Sequence, residues 1–175
     1  MSSSDDFRAG IALGSNLGDS LSHLRRAAKA LHQLSTSPEL IRGSHIYRTS
    51  PVDCPPGSLP FLNAVVEIEW KGEVEALWAE LQQLEAAAGR QRPHPFHAPR
   101  PLDLDLLYVG SQVIPSGGPI CLPHPRLKNR RFVLAPLADF SPERVLPNET
   151  ATIQQLLAEL SVIPLIEKIE DPIFT

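Results

Sequence analysis

The chain has 175 residues, of which 42% are hydrophobic and 21% are charged, and its formal net charge at pH 7 is −4. These values predict a soluble globular protein with one core, a single domain over residues 1–175, and argue against a disordered chain. The negative charge argues against general nucleic-acid binding, which needs many neutralising cations.

In the first half of the chain, hydrophobic spacing predicts a strand, a helix and two further strands. Residues 7–13 form the first strand, and an amphipathic helix begins at about Ser20. Residues 40–47 form the second strand, and the proline-rich residues 49–60 form a long loop. Residues 62–70 alternate: Ala64, Val66, Ile68 and Trp70 face one side, and Asn63, Val65, Glu67 and Glu69 face the other.

In the second half, the apolar spacing over residues 73–88 predicts a second amphipathic helix, which ends at Gly89. Its apolar stripe is formed by Val74, Leu77, Trp78, Leu81 and Leu84. A second long loop, residues 89–101, precedes a strand that contains Asp103 and Asp105. The remaining predicted elements are a short hairpin strand at 112–114, helices near 129–138 and 152–160, and a short tail.

The order strand, helix, strand, strand, helix, strand is that of the ferredoxin-like fold. We therefore predict an α+β protein, an antiparallel sheet with helices on one face and the other face left available. The two long loops exceed most connections in compact domains, and such loops usually bind ligands.

Composition also bears on the compartment and the partners. The two cysteines, Cys54 and Cys121, lack metal-type spacing, so we expect free thiols in a reducing compartment. The polar, acidic start MSSSDDFRAG resembles neither a signal peptide nor a transit peptide, and no apolar run has the length of a membrane span. We expect a cytoplasmic monomer with no membrane or nucleic-acid partner.

The stretch PLDLDLL places two aspartates in an otherwise apolar strand. Alternation alone explains this pattern if the leucines face a core and Asp103 and Asp105 face water. A metal site explains it too, because Mg²⁺ prefers one or two carboxylates together with substrate phosphates. Two strand residues separate the stems by roughly 6.6 Å, which allows the carboxylates to flank a pair of cations.

Arginines near the aspartates favour the metal site. Arg90, Arg92 and Arg100 lie just upstream, and arginine matches phosphate oxygens bidentately. A second basic stretch contains His124, Lys128 and Arg130. The absence of G-x-S-x-G and H-E-x-x-H motifs leaves hydrolases with little support and fits direct phosphoryl or pyrophosphoryl transfer. The turn LGSNLGD lacks phosphate-loop spacing, so we interpret it as structural.

Six motifs resemble those of hydroxymethyldihydropterin pyrophosphokinase, a family of folate biosynthesis, and they extend in the family's order over most of the chain. They are LGSN (13–16), YRTSPV (47–52), FLNAV (61–65), GRQR (89–92), APRPLDLDLL (98–107) and PHPRLKNRRFVLAPL (123–137). The resemblance implies transfer of the β,γ-pyrophosphoryl group of ATP to the hydroxymethyl group of 6-hydroxymethyl-7,8-dihydropterin, with AMP as the other product.

The resemblance also implies site residues. Asp103 and Asp105 hold two Mg²⁺ ions, and Arg92 and Arg100 contact the phosphates during transfer, which makes these four the catalytic set. ATP is bound by Gln82, Glu85, Arg90, Leu106, His124, Lys128 and Arg130. The pterin is bound by Thr49, Ser50, Pro51, Val52, Phe61, Asn63, His97 and Phe132, stacked between the two phenylalanines.

The chain departs from the family pattern at several positions. Phe61 replaces a frequent tyrosine, and Phe96-His97 replaces a basic residue followed by an aromatic one, so either could cover the pterin. On the adenine side, Pro119, Cys121 and Pro125 replace polar or aromatic residues. Two other interpretations stay open: an ordinary kinase or other metal-dependent nucleotide enzyme, and a non-catalytic ferredoxin-like interaction domain.

Overall fold

An antiparallel sheet organises the chain. The computed structural model describes residues 4–51, 56–90, 98–163 and 165–174. Within these, the sheet has six strands in the order β5-β1-β4-β3-β6, and β2 also pairs with β4. The strands are β1 (Arg8–Ser15), β2 (Arg42–Gly43), β3 (His45–Thr49), β4 (Phe61–Glu69), β5 (Asp103–Val109) and β6 (Ile166–Pro172).

Four α-helices accompany the sheet in the described part of the chain: α1 (Ser20–Leu34), α2 (Val74–Ala87), α3 (Arg131–Ala138) and α4 (Ile153–Glu159). Asp19 begins α1, because its side chain accepts a hydrogen bond from the amide of Ser22. After α2, Gly89 adopts φ +93°, a conformation that favours glycine, as the sequence predicted for the end of this helix. No helix in the described ranges combines the length and hydropathy needed to cross a bilayer.

The ferredoxin-like order is confirmed, and helices lie on both faces of the sheet. The alternate apolar residues of β1, β4 and β5 pack under α1 and α2 and form the main core. On the other face, a second cluster joins Val65, Leu107 and Tyr108 to α3 and α4. The face that the sequence pattern left available is therefore covered at one end and open at the other, where the aspartates lie.

Several predicted elements differ in detail. Residues 40–47 were predicted as one strand, but a short 3₁₀ helix (Pro38–Leu40) precedes β2, and Ser44 separates β2 from β3. In place of a hairpin strand at 112–114 there is one bridge between Ile114 and Leu122. The predicted tail contributes β6, which pairs with β3.

The polar face of β4 is buried. The sequence predicts that three polar residues of this strand face away from the core stripe, and the structure confirms it for Asn63, Glu67 and Glu69. All three are nevertheless shielded from solvent. Glu67 is 0% exposed and forms ion pairs with Arg42 (2.8 Å) and Arg144 (3.0 Å). Asn63 lies nearer the start of β4, at the open end of the sheet.

Candidate active site

Asp103 and Asp105 project from one face of β5. Their side chains are 22% and 29% exposed, while Leu104 and Leu106 are buried in the main core. The alternation predicted from the sequence is thus confirmed: the leucines hold the strand in the core, and the two carboxylates emerge together on the opposite face.

Asp103 is paired with two arginines. Arg100 Nε lies 3.1 Å from Asp103 Oδ2, and Arg90 Nη1 contacts Asp103 Oδ1. Arg90 also pairs with Glu85, a buried residue of α2 whose Oε1 accepts a hydrogen bond from the amide of Leu104 at 2.7 Å. Glu85 therefore ties α2 to β5 and directs Arg90 toward Asp103.

Asp105 is paired from the other side of the site. Arg130 Nη1 lies 2.8 Å from Asp105 Oδ2, and His124 Nε2 lies 3.8 Å from the same oxygen. Burial lowers the pKa of His124. The charge of Asp105 raises this pKa, whereas the guanidinium groups of Arg130 and Arg126 lower it. Because the amide of Arg126 donates to His124 Nδ1, the neutral ring carries its proton on Nε2, facing Asp105.

A cavity of about 440 Å³ lies between α2, β5 and residues 116–125, and its lining includes the two aspartates but neither Arg100 nor Arg130. The cavity brings the two aspartates together with five of the residues predicted to bind ATP: Gln82, Glu85, Arg90, Leu106 and His124. Lys128, also predicted to bind ATP, lines a neighbouring cavity of about 300 Å³ and pairs with Glu149 at 2.9 Å.

Residues predicted to bind the pterin lie beside the aspartates. The register places Asn63 of β4 and Asp103 of β5 on either side of Gly14 of β1. A Cβ at Gly14 would lie 3.3 Å from Asn63 Oδ1, so glycine allows this close approach. Asn63 Nδ2 donates to Thr49 Oγ1 at 2.8 Å, and both residues are buried.

The two phenylalanines predicted to stack on the pterin each lie under one of the arginines. The guanidinium of Arg100 is 5.5 Å from the ring centre of Phe61, and that of Arg130 is 5.5 Å from the ring centre of Phe132. Each arginine thus bridges one aspartate and one aromatic ring. Ser50 and Pro51 follow β3, and the remaining predicted site residues, Val52, Arg92, His97 and the adjacent Phe96, lie outside the described residues.

Sequence reasoning missed two residues that the structure places at the site. Asn16, in the turn interpreted as structural, is buried, and its Oδ1 accepts from the amide of Arg100 at 2.9 Å. The backbone N–H of Asn16 donates to the carbonyl of Arg100 at 3.2 Å. Asn16 therefore fixes the backbone of that arginine through two hydrogen bonds. Trp78, predicted as core, lines the cavity. The LGSN motif could have indicated that Asn16 belongs to the site. The helical spacing of Trp78 could not, because it matches that of a core residue.

The α+β fold, the paired carboxylates and the surrounding arginines form a charged site that suits a phosphorylated ligand, as in enzymes that act on phosphate groups. Comparison with known proteins agrees. Residues 10–142 match the family described as 7,8-dihydro-6-hydroxymethylpterin-pyrophosphokinase (HPPK). The chain therefore belongs to this family and is a pyrophosphokinase of folate biosynthesis.

Individual relatives agree with this assignment. The chain is 37% identical over 150 residues to the 2-amino-4-hydroxy-6-hydroxymethyldihydropteridine pyrophosphokinase of Haemophilus influenzae, covering 86% of this chain and 88% of the relative. The Bacillus subtilis protein of the same name is 40% identical over 129 residues, covering 74% and 75%. A folate synthesis bifunctional protein of Arabidopsis thaliana is 37% identical over 132 residues, covering 74% of this chain and 26% of its own length.

Solved structures support the fold. A Plasmodium falciparum HPPK-DHPS wild-type structure superposes with a TM-score of 0.66 at 13% identity, covering 87% of this chain. A structure titled HPPK-DHPS in complex with substrates gives 0.63 at 12% identity, covering 86%. The chain spans less than half of each, 44% and 42%.

Proposed function

We propose that the cavity binds ATP with Mg²⁺ and that its β,γ-pyrophosphoryl group passes to the hydroxymethyl group of 6-hydroxymethyl-7,8-dihydropterin, with AMP released. The observation that carries this proposal is the pair of part-exposed aspartates at the edge of the cavity, each held by arginines. Family membership supplies the reaction and the two substrates.

The aspartates fit Mg²⁺ by their chemistry. Carboxylate oxygens are hard ligands, and Mg²⁺ in nucleotide enzymes takes one or two of them and completes its shell with phosphate oxygens and water. In the described part of the chain, no three His, Cys, Asp or Glu side chains are grouped as a metal cage. Asp103 and Asp105 would therefore hold the metal together with the triphosphate, and we propose that two ions bind. Bound Mg²⁺ neutralises charge on the phosphates during transfer.

The arginines that hold the aspartates have a second role once ATP is bound. In this structure Arg90 and Arg100 pair with Asp103, and Arg130 pairs with Asp105. All three guanidinium groups contact a carboxylate of the proposed metal site, and a guanidinium group matches phosphate oxygens bidentately. We propose that they exchange part of their contact with aspartate for phosphate. Neutral His124 donates from Nε2 to the same phosphates, and Lys128 and Arg92 are proposed phosphate ligands from the resemblance.

The pterin is proposed to lie between Phe61 and Phe132, next to the phosphate end of the cavity. Asn63 and Thr49 form a buried polar pair at this place, and an amide and a hydroxyl match the hydrogen-bonding edge of a pterin ring. Ser50, Pro51 and Val52 would contribute their backbone, and His97 would cover the ring. Stacking between two aromatic rings fixes the hydroxymethyl group toward the phosphates.

We assign the transfer to positioning and charge stabilisation, as is typical of phosphoryl transfer. The pterin hydroxyl attacks the β-phosphorus in line, the bond from that phosphorus to the α,β-bridging oxygen breaks with release of AMP, and the hydroxyl proton passes to water. We assign no side chain as general base.

Product analysis tests this function. The protein is mixed with ATP, Mg²⁺ and 6-hydroxymethyl-7,8-dihydropterin, and nucleotides are separated by chromatography. We expect AMP in equal amount to the pterin diphosphate and no ADP. Formation of ADP would show an ordinary kinase. Failure to bind ATP with Mg²⁺ or to form AMP would favour the non-catalytic interaction domain.

A further inference from the structure

The cavity has a charged end beside Asp103, and the preceding turns of α2 carry further lining residues away from it. Glu85 on this helix contacts Arg90 and the amide of Leu104, beside Asp103. Trp78 and Gln82 line the same cavity and precede Glu85 by seven and three residues, so all three share one helix face. At 1.5 Å per residue, Trp78 lies about 10 Å along the helix from Glu85. The indole is thus well separated from the aspartates.

Several apolar side chains contribute to the cavity wall. Leu106 and Ile120 are buried in the main core and contribute to the cavity wall. Three more wall residues have side chains with little or no hydrogen-bonding capacity: Pro119, Cys121 and Pro125. Trp78 is half-buried: it packs partly against the main core and partly borders the cavity. Among the described lining residues, Trp78 and His124 are the two with aromatic rings, and His124 lies at Asp105.

We propose that the indole of Trp78 is the stacking surface for the nucleobase of ATP. The proposal rests on the proposed function, since a triphosphate at Asp103 and Asp105 directs the base away from the charged end. An aromatic face in an apolar wall binds a base mainly through dispersion and burial, and such stacking is tolerant of base identity. Trp78 is therefore a substrate-binding residue that acts on affinity for ATP and leaves the transfer step unchanged.

Tryptophan fluorescence tests the position of the indole. The chain has two tryptophans, Trp70 and Trp78, and the indole N–H of Trp70 donates to the carbonyl of Glu73. In Trp70→Phe, Mg-ATP should quench the remaining emission. In Trp78→Phe, the emission of Trp70 should be insensitive to Mg-ATP. A response that survives in Trp78→Phe and is lost in Trp70→Phe would overturn the proposal.

Calorimetry with two probes separates stacking from phosphate binding. Inorganic tripolyphosphate with Mg²⁺ carries the charges of ATP without a base. We expect Trp78→Leu, which keeps apolar volume but loses the ring, to weaken Mg-ATP by about 5- to 100-fold, the range for base–aromatic stacking. Trp78→Phe should stay within a few-fold of the wild type. Binding of Mg-tripolyphosphate should be unchanged in both variants, and KM for ATP should rise with kcat preserved.

Other outcomes are distinguishable. Equal weakening of Mg-ATP and Mg-tripolyphosphate would show a general distortion and contradict a role in base binding, as would unchanged Mg-ATP affinity in Trp78→Leu. If the wild-type protein binds Mg-tripolyphosphate as tightly as Mg-ATP, the base adds no affinity, so the stacking proposal fails and the phosphate site stands. If the wild type binds neither probe, the proposed function itself fails.

Discussion

Two clusters of carboxylates and arginines lie on the same sheet, and they differ in access to solvent. Glu67 on β4 is 0% exposed and is contacted by Arg42, Arg144 and the hydroxyl of Tyr108, which donates to Glu67 Oε2 at 2.6 Å. Asp103 and Asp105 on β5 are 22% and 29% exposed and border a cavity. The chemistry of the pairs is similar, but only the second cluster can be reached by a ligand.

Burial gives the two clusters different energetics. A buried charge that loses one partner pays a large desolvation penalty, so Glu67 and its arginines are held together. The carboxylates of Asp103 and Asp105 are part-exposed and border the cavity, so a phosphate that enters the cavity can replace them as the partner of their arginines. In this chain, access from the cavity distinguishes the cluster at Asp103 and Asp105 from the cluster at Glu67.

The largest effect is expected from the buried cluster. Glu67→Gln should lower the free energy of unfolding by about 3–5 kcal/mol, because it removes a fully buried charge and leaves Arg144, 15% exposed, without its counter-charge. Urea denaturation measures this loss. Glu167→Gln is the control, since its pair with Arg48 is 69% and 53% exposed and should change stability by less than about 1 kcal/mol. Similar losses in both variants would remove the distinction between the clusters.

At the cavity, the effect should appear in turnover. Asp103→Asn and Asp105→Asn should each lower the rate of AMP formation by about 100-fold or more, because each removes a carboxylate from the proposed metal site. Their far-UV circular dichroism should match that of the wild type. Asp171→Asn, an exposed residue of β6 with the same charge change, should keep full activity. Near-normal activity of both site variants would refute the metal assignment.

A single hydrogen bond in the buried cluster should matter less. Burial, and next the charge of Glu67, raise the pKa of Tyr108, so its hydroxyl stays protonated and donates. Tyr108→Phe removes this donor and should cost about 1–2 kcal/mol of stability with kcat unchanged. Denaturant unfolding and the AMP assay check both statements, and a change in kcat without a loss of stability would contradict them.

Asp139, with a side chain 13% exposed, lies between the two extremes. It accepts hydrogen bonds from the amide of His45 (3.0 Å), Tyr47 Oη (2.9 Å) and Lys168 Nζ (3.0 Å), and so joins β3 and β6 to the end of α3. Burial alone would raise its pKa, but these bonds, that of Lys168 first, hold the pKa below the ordinary 3.8.

The sign of the pH dependence follows from the lowered pKa. The native carboxylate stabilises the fold at pH values above 3.8, and this contribution is lost as the pH falls through the lower native pKa. Asp139→Asn should therefore cost about 1 kcal/mol at pH 7, and the difference from wild type should shrink below pH 4. Urea unfolding at a series of pH values measures it, and a constant difference across the series would contradict the assignment.

Local patterns predicted the elements and half of the site. The alternation of Leu104 and Leu106 with Asp103 and Asp105 is a property of a few neighbouring residues, and burial in β5 follows it. Helical spacing likewise predicted α1 and α2. Spacing could not show which part of a broad apolar stripe borders a cavity, so Trp78 was predicted as core.

Contacts between distant segments were beyond these patterns. Asn16 fixes Arg100 across 84 positions of sequence. The burial of Glu67 depends on Arg42 and Arg144, which precede and follow it on other elements. The strand β6, IEKIEDP, has weak alternation, and its pairing with β3 across more than 100 positions is a tertiary contact. The pterin site was predicted from the family resemblance, because nothing local distinguishes Phe61 or Phe132 from core residues.

The central claim is that the part-exposed aspartates bind the metal that binds the triphosphate. Calorimetric titration with ATP, with and without Mg²⁺, tests it directly on the wild type and on the double variant Asp103→Asn, Asp105→Asn. We expect that Mg²⁺ strengthens ATP binding to the wild type and that this gain is lost in the double variant. An undiminished gain from Mg²⁺ in the double variant would contradict it.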